Sequence, residues 1–289
     1  MPRRLVQFIS ALLTNAYLAG FVQGRIYPGI SKYICVPGLN CYSCPAAIGA
    51  CPLGALQTVM ASSRYMISYY VTGTLILYGA LMGRFICGWL CPFGLVQELL
   101  HKIPSPKWTI PPWTRSIKYL VLLVFVLLLP LVLVNSLGMG DPTFCKYICP
   151  AGTLLGGLPL LAAHQDLRDA AGALFLWKFF ILLLVIFFSV LVFRPFCKVL
   201  CPLGAVYGLF NPVSLYQYRV DKTKCIECGQ CARACPMGVA MYQEPASREC
   251  IRCGACRPGC PSGAITTSFT LFPAEAENGR SSSNPGKKS

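Results

Sequence analysis

The sequence predicts an α-helical membrane protein that ends in a small, cysteine-rich α+β domain. Of its 289 residues, 55% are hydrophobic and only 12% are charged, whereas soluble domains carry about 25% charged and about 45–50% apolar residues. Long apolar runs fill the N-terminal part, and the 18 cysteines are grouped in Cys-Pro motifs. This composition excludes a single soluble globule, and the grouping of the cysteines indicates metal ligation.

Four apolar stretches are long enough to cross a hydrocarbon core about 30 Å thick, which takes roughly 20 helical residues. They cover approximately residues 5–23, 66–86, 117–137 and 173–193. Pro130 is expected to kink the third stretch, and Lys178 lies near one end of the fourth, where its side chain can extend to the interface. We therefore expect about four transmembrane helices.

Two further apolar segments, residues 44–61 and 144–163, are interrupted by Pro and Gly. Counting them as spans would give six crossings and move Cys87 and the basic loop 102–118 outside, against the positive-inside bias. We therefore interpret them as re-entrant or interfacial half-helices. The same bias places both termini of this multi-pass protein on the cytoplasmic side of the cytoplasmic membrane, the face that carries Arg3, Arg4, Arg84, Lys102, Lys107, Arg115, Lys118, Arg194 and Lys198.

The apolar runs stop near residue 216, which divides the chain into three parts. We expect a transmembrane domain over residues 1–216, a cysteine-rich domain over 217–270 and a disordered tail, rich in Ser, Asn, Gly and Lys, over 271–289. The formal net charge is +15, but the basic residues are scattered and form no stripe. Binding of nucleic acid is therefore not expected.

The cysteine-rich domain contains two copies of the run C-x2-C-x2-C-x3-C-P, offset by 25 residues. This is the spacing of bacterial two-cluster ferredoxins, in which the fourth cysteine of each run ligates the other cluster. It predicts one [4Fe-4S] site from Cys225, Cys228, Cys231 and Cys260, and a second from Cys250, Cys253, Cys256 and Cys235. Structural zinc is the competing interpretation, but it does not require this duplication.

A second repeat, Cys-Pro-x-Gly, follows each predicted span, at Cys51, Cys91, Cys149 and Cys201. Three of these copies have another cysteine four positions earlier, at Cys87, Cys145 and Cys197. With alternating topology, the second and fourth copies share the cytoplasmic face, and the first and third share the outer face. We therefore expect two tandem hairpins related by a pseudo-two-fold axis along the membrane normal.

On the cytoplasmic face, four thiols can converge, those of Cys87, Cys91, Cys197 and Cys201. Four thiolates suit a third [4Fe-4S] cluster. The Pro after the second cysteine of each motif favours the first position of a short helix, whose positive end would face that cluster. Buried free thiols and zinc ligation are the alternatives.

On the outer face, Cys145 and Cys149 can meet thiols of the loop that contains Cys35, Cys41, Cys44 and Cys51. A fourth cluster is one interpretation, with candidate ligands Cys41, Cys44, Cys51, Cys145 and Cys149. Disulfides are the other, because six thiols facing an oxidising compartment can pair.

By these motifs the chain resembles the NapH/NosR-type membrane polyferredoxins, over approximately residues 5–267. The resemblance implies an electron carrier that links the quinol pool or a cytoplasmic donor to a periplasmic redox protein. The cysteine-rich outer loop and the Cys145 motif depart from the two-motif pattern of that group. The FMN-binding domain of the NosR branch is not found in this sequence, so a separate flavoprotein is expected as a partner.

Together these observations predict a membrane-bound iron-sulfur electron-transfer protein, a carrier rather than a stand-alone enzyme, with no catalytic residue. Its donor would be a cytoplasmic ferredoxin or flavodoxin, or quinol, and its acceptor an extracytoplasmic redox protein. The alternatives are a quinol dehydrogenase subunit of a respiratory reductase system and an assembly or metal-reduction factor for another redox complex. An acidic donor would dock on a basic rim formed by Arg233, Arg248, Arg252 and Arg257.

Haem b is not expected, because the two histidines, His101 and His164, both lie outside the predicted spans. For quinol oxidation, the nearest candidate proton acceptors are Glu98, His101 and His164. Each of these has an ordinary interfacial role as its alternative. No Asp or Glu lies within a predicted span, which argues against an ion pump.

Overall fold

The computed structural model describes residues 3–62, 69–133 and 140–269. Its α-helices are α1 (Arg3–Thr14), α2 (Ala19–Gln23), α3 (Pro52–Ser62), α4 (Tyr69–Met82), α5 (Phe85–Trp89), α6 (Pro92–Leu100), α7 (Ile117–Val121), α8 (Leu129–Val132), α9 (Pro150–Gly152), α10 (Leu158–Ala163), α11 (Gln165–Asp169), α12 (Ala173–Leu191), α13 (Pro195–Val199), α14 (Pro202–Phe210) and α15 (Gln230–Arg233). Short 3-10 helices cover Ile30–Tyr33 and Pro112–Ser116, and π-helical segments cover Leu122–Leu128, Phe144–Ile148 and Thr153–Gly157. The strands are β1 (Tyr216–Val220) and β2 (Ile265–Phe269).

Three helical stretches of the described residues are long and apolar enough to cross a membrane, namely Arg3–Gln23, Pro112–Val132 and Ala173–Leu191. They correspond to three of the four predicted spans. The second predicted span, 66–86, contains the shorter helix α4, and its first residues lie outside the described part, as do residues 134–137 of the third. The expected disordered tail, 271–289, also lies outside it.

Helix α12 shows why the structure fits a lipid environment. An 18-residue window of this helix has a mean hydropathy of 2.7, yet only 22% of that window is buried within the protein. Large apolar side chains therefore face outward along the helix, among them Leu176, Phe180 and Phe187. Water would solvate such a surface poorly, whereas hydrocarbon solvates it well.

The two apolar segments between the spans form short helices. Helix α3 has 11 residues, and the apolar stretch Pro150–Ala163 is also below the length that spans a membrane. A crossing takes roughly 20 helical residues, so both lengths suit half-helices. Each of them begins with the Pro of a Cys-Pro-x-Gly motif, which places its N-terminus beside a thiol.

The cysteine-rich segment is an internal duplication in its backbone as well as its sequence. Strand β1 pairs antiparallel with β2, with Tyr216 opposite Phe269 and Val220 opposite Ile265. Residues with positive φ recur at the 25-residue offset of the cysteine runs, as the pairs Glu227 and Arg252, Gly229 and Gly254, and Gly238 and Gly263. Each half therefore makes the same tight loop around its cysteines.

This segment packs against the end of the membrane domain through Arg252, whose side chain is only 3% exposed. Its guanidinium donates to Met82 O at 2.8 Å and to Asn211 O and Ser214 Oγ at 2.7 Å each. In return, Trp89 Nε1 donates to the Arg252 carbonyl at 3.0 Å.

The prediction that Arg252 belongs to an exposed rim is therefore wrong. Its guanidinium donates to two carbonyl groups and one hydroxyl group inside the protein. Arg252 therefore presents no exposed side chain to a partner. The other three arginines of the predicted rim are exposed, namely Arg233, Arg248 and Arg257.

Candidate metal centres

The four cysteines predicted for the cytoplasmic face lie together, and we call Cys87, Cys91, Cys197 and Cys201 the inner site. Burial, and then the charges of Cys197 and Cys87, raise the pKa of Cys91 to about 12. Burial, and then the charges of Cys197, Cys87 and Cys91, raise the pKa of Cys201. The four cysteines are therefore near neighbours in the structure.

Local capping geometry aims the helix ends at these thiols. Cys91 and Cys201 are the N-cap residues of α6 and α14, with Pro at the first helical position in each case. The Gly204 N–H donates to Cys201 Sγ at 3.4 Å, and Gln97 Nε2 donates to Cys197 Sγ at 3.2 Å. Helix N-termini and N–H donors stabilise negative charge on sulfur, so these groups suit thiolate ligands.

Two buried arginines complete the inner site, and sequence reasoning counted them only as markers of topology. Arg84 and Arg194 are both 0% exposed. Arg84 Nη2 donates to Cys197 O at 3.2 Å, and Arg194 Nη1 donates to Cys87 O. A signal was present in the sequence, because each arginine stands three residues before the first cysteine of its motif, in RFICGWLCPFG and RPFCKVLCPLG.

Two carboxylates balance these cations. Glu249 pairs with Arg84 at 2.8 Å and with Lys118, and Glu98 pairs with Arg194 at 2.8 Å and with Arg3 at 2.6 Å. Burial works to raise the pKa of Glu98, but the hydrogen bond from Arg3 and the charge of Arg194 outweigh it and hold the pKa below its ordinary value. The ion pairs account for the position of Glu98, the residue predicted as a proton acceptor, and keep it ionised at neutral pH.

A second set of four thiols, Cys41, Cys51, Cys145 and Cys149, lines a cavity of about 250 Å³, and we call it the outer site. Burial, and then the charges of Cys149, Cys51 and Cys41, raise the pKa of Cys145. All 18 cysteines are free thiols, so the structure contains none of the disulfides considered as an alternative.

The remaining two outer cysteines do not line the cavity of the outer site. Cys44 Sγ donates to Leu155 O at 3.1 Å, and the Cys35 carbonyl accepts from Tyr78 Oη at 3.1 Å. Both residues are buried. Four of the six outer cysteines therefore line one cavity.

Lysines, not arginines, face the outer site. Lys178 was expected to extend to the membrane interface, but its Nζ donates to Cys145 O at 3.2 Å and it lines the cavity. Lys32 Nζ donates to Ala47 O at 2.7 Å and to Cys44 O at 3.4 Å. The ammonium of Lys178 therefore lies where it would offset the negative charge of thiolates.

A single turn, residues 37–40, separates the inner site from the outer site. The Leu39 N–H faces the Cys91 thiol, and the Asn40 N–H faces the Cys51 thiol, each working against the rise in the pKa of that thiol. A Cβ on Gly38 would lie 3.1 Å from Cys91 Cα, so only glycine allows this approach without displacement. Tyr207, fully buried, holds the turn by donating from Oη to Pro37 O at 2.8 Å.

The tail cysteines fall into two groups, each of which combines three cysteines of one run with the fourth of the other. A small cavity is lined by Cys225, Cys228, Cys231 and Cys260, which we call tail site I. Cys235 lies with the cysteines of the other run, because the pKa of Cys256 is raised by burial and then by the charges of Cys250, Cys253 and Cys235. We call these four residues tail site II.

No three Cys, His, Asp or Glu side chains in the described ranges have the close arrangement of a single-ion site. A cubane takes four thiolates at its corners, and each of the four sets offers four cysteines. The donor sets, composed of cysteine alone, match that group.

Comparison with known proteins agrees with this chemistry. Two families, each described as a 4Fe-4S binding domain, match the chain, one over residues 66–111, 120–163 and 174–215 and the other over residues 218–240. The chain is 28% identical to the ferredoxin-type protein NapH of Escherichia coli over 64% of its length and 59% of NapH. The chain is thus homologous to ferredoxin-type proteins of the NapH and NosR kind.

Two further relatives of the chain carry related names. It is 27% identical to the regulatory protein NosR of Pseudomonas aeruginosa, over 59% of the chain and 22% of NosR. It is 24% identical to the methylamine utilization ferredoxin-type protein MauN of Methylobacillus flagellatus, over 64% of the chain and 60% of MauN. The chain thus spans less than two thirds of each of these relatives. No solved structure matches the chain significantly.

Proposed function

We propose that this protein is a membrane-bound electron carrier in which each of the four thiol sites would hold a [4Fe-4S] cluster. Such clusters supply reversible one-electron transfer when bound. The chain's own residues provide four thiols per site, N–H donors aimed at sulfur, and burial that excludes water from the inner site. These features support the proposed ligand sets and leave Cys35 and Cys44 outside them.

The observation that carries this proposal is the succession of the four sites. Tail site I includes the exposed residue Cys228. Cys253 of tail site II lies within the electrostatic influence of Arg194, which also bonds to the Cys87 carbonyl of the inner site. The turn at Leu39 and Asn40 then joins the inner site to the outer site. Closely spaced sites would avoid a single transfer across a core about 30 Å thick.

The topology that goes with this proposal has four spans in two hairpins and both termini in the cytoplasm. The membrane domain would cover residues 1–216 and the ferredoxin domain residues 217–270. A cytoplasmic ferredoxin or flavodoxin would then dock at tail site I, where Arg233 and Arg257 are exposed, with the quinol pool as the alternative donor. An extracytoplasmic redox protein, with a flavoprotein among the candidates, would accept electrons at the outer site.

Iron content tests the proposal. Protein purified anaerobically is expected to hold about 16 Fe if all four sites are cubanes, and about 8 Fe if only the tail is loaded. The variants Cys35→Ser and Cys44→Ser are the matched controls, because they remove buried outer thiols that no site uses, and they should keep the full iron content. A wild-type value near 8 would contradict the membrane sites.

A further inference from the structure

Two arginines flank the inner site, and each of them bonds to the motif that it does not belong to. Arg84, from the first motif, bonds to the carbonyl of Cys197 in the second, and Arg194, from the second, bonds to the carbonyl of Cys87 in the first. Each guanidinium therefore ties one hairpin to the other at the residue that carries a thiol.

The glycine of each inner motif makes room for this exchange. A Cβ on Gly94 would lie 3.0 Å from Arg194 Cζ, and a Cβ on Gly204 would lie 3.5 Å from Arg84 Nη2. The two segments thus share the unit Arg-x-x-Cys-x3-Cys-Pro-x-Gly. The glycine that ends one copy lies beside the arginine that begins the other.

Backbone geometry at Arg194 adds a second observation. Its φ is +49°, in the left-handed region that non-glycine residues seldom adopt. Such a conformation is unfavourable by itself and persists where surrounding contacts impose it. Here those contacts are the buried bonds of Arg194 to Cys87 and Glu98.

The charges on the two sides leave a positive excess at the inner site. Arg84 and Lys118 share the single carboxylate of Glu249. Arg194, Arg3 and Arg4 share the single carboxylate of Glu98. The cations outnumber the anion on each side, which leaves a net positive charge there. A thiolate-ligated cluster is anionic and becomes more so on reduction, so this excess favours the reduced form.

We propose that Arg84 and Arg194 are paired positioning residues that fix the two Cys-x3-Cys motifs in register and raise the reduction potential of the inner site. This inference rests on the proposed function, because it requires a cluster at that site. The two carboxylates moderate the effect, since each one cancels one of the cations beside it.

The experiment is a redox titration of anaerobically purified full-length protein, monitored by electron paramagnetic resonance. The inner signal is identified as the one that Cys201→Ser abolishes. Arg194→Gln and Arg84→Gln should each shift the redox equilibrium of this signal about tenfold toward the oxidised form, a fall of about 59 mV for one electron. Arg194→Lys should recover part of the shift, and the exposed control Arg168→Gln should show none.

The direction of the potential shift in Glu98→Gln separates an electrostatic role of the arginines from a structural one. It removes an anion from the same ion-pair cluster, so the potential should rise, whereas a merely structural role would make Arg194→Gln and Glu98→Gln shift it in the same direction. If Arg194→Gln does not retain iron, the rise in Glu98→Gln alone tests the inference. Unchanged potentials in both variants, or shifts of the same sign, would overturn it. Absence of any Cys201-dependent signal in the wild type would instead reject the proposed function.

Discussion

The inner and outer sites share the Cys-Pro-x-Gly unit but differ in the groups that surround their thiols. At the inner site, buried guanidiniums bond to cysteine carbonyls and are balanced by Glu98 and Glu249. At the outer site, the ammonium of Lys178 bonds to the Cys145 carbonyl beside a cavity. The repeated unit thus presents the thiol, while charged residues outside the unit determine its electrostatic environment.

The glycines of the Cys-Pro-x-Gly motifs also differ between the two sites in the groups that lie beside them. In the inner motifs, Gly94 and Gly204 leave space for guanidinium groups. In the outer motifs, a Cβ on Gly152 would lie 3.3 Å from Cys41 Sγ, and one on Gly54 would lie 3.9 Å from Cys145 Sγ. The inner motif glycines therefore lie beside guanidinium groups, and the outer ones lie beside cysteine sulfurs, with the Lys178 ammonium 3.9 Å from a Cβ on Gly152.

Ligand substitutions give the largest expected effect and test whether the two sites load independently. Cys201→Ser and Cys149→Ser should each remove about 4 of about 16 Fe, because each cubane needs four thiolates. Iron and sulfide analysis of anaerobic protein is the measurement, with buried Cys35→Ser as control. Loss of about 8 Fe from either variant would show that the two sites form one cooperative unit.

Alanine at the motif glycines should sharpen the steric comparison. Gly94→Ala should destabilise the protein by about 1–3 kcal/mol, because its Cβ would meet a buried guanidinium that cannot move freely. Gly204→Ala should cost less, since a Cβ there would lie 3.5 Å from Arg84 Nη2, an ordinary contact. Thermal unfolding in detergent measures both changes.

The control for these variants is Gly73→Ala in α4. A Cβ on Gly73 meets nothing within 4 Å, and Ala in a helix interior is favoured over Gly by roughly 0.5–1 kcal/mol. An equal loss of stability at Gly94 and Gly73 would contradict the interpretation that Gly94 accommodates Arg194.

The smallest expected effect concerns the lysine at the outer site. Lys178→Met should lower the potential of the outer centre by less than the tenfold change in equilibrium expected for each inner arginine. The reason is that Lys178 is only partly buried, and solvent weakens its charge. The comparison is with Lys146→Met, whose ammonium already pairs with Asp141 at 2.6 Å. If Lys178→Met shifted the potential more than Arg194→Gln does, it would contradict the expectation that a cation has the weaker effect at the outer site.

Local spacing and internal repetition predicted which tail and inner cysteines lie near one another. The tail groups depend on short runs in which the chain has little freedom, and the inner group depends on the repeated Cys-x3-Cys-Pro motif. The sequence could not predict which outer cysteines line one cavity, because that depends on the path of a long loop. That path is fixed by distant contacts, such as Lys32 to Ala47 O.

The burial and contacts of the charged residues were the least predictable feature of the structure. Arg252 was expected at an exposed rim, but the packing of the two domains buries it. Arg84 and Arg194 were counted only as topology markers, although their matching positions before Cys87 and Cys197 were visible. A charge count treats each side chain alone, whereas its role here depends on a carbonyl or carboxylate contributed by another part of the chain.

The turn between the two membrane sites has a mechanical consequence. The amides of Leu39 and Asn40 belong to adjacent rigid peptide planes that meet at the Leu39 Cα, and they face sulfurs of different sites. Because the two planes share the Leu39 Cα, a displacement of this residue would change the N–H contacts of both sulfurs together.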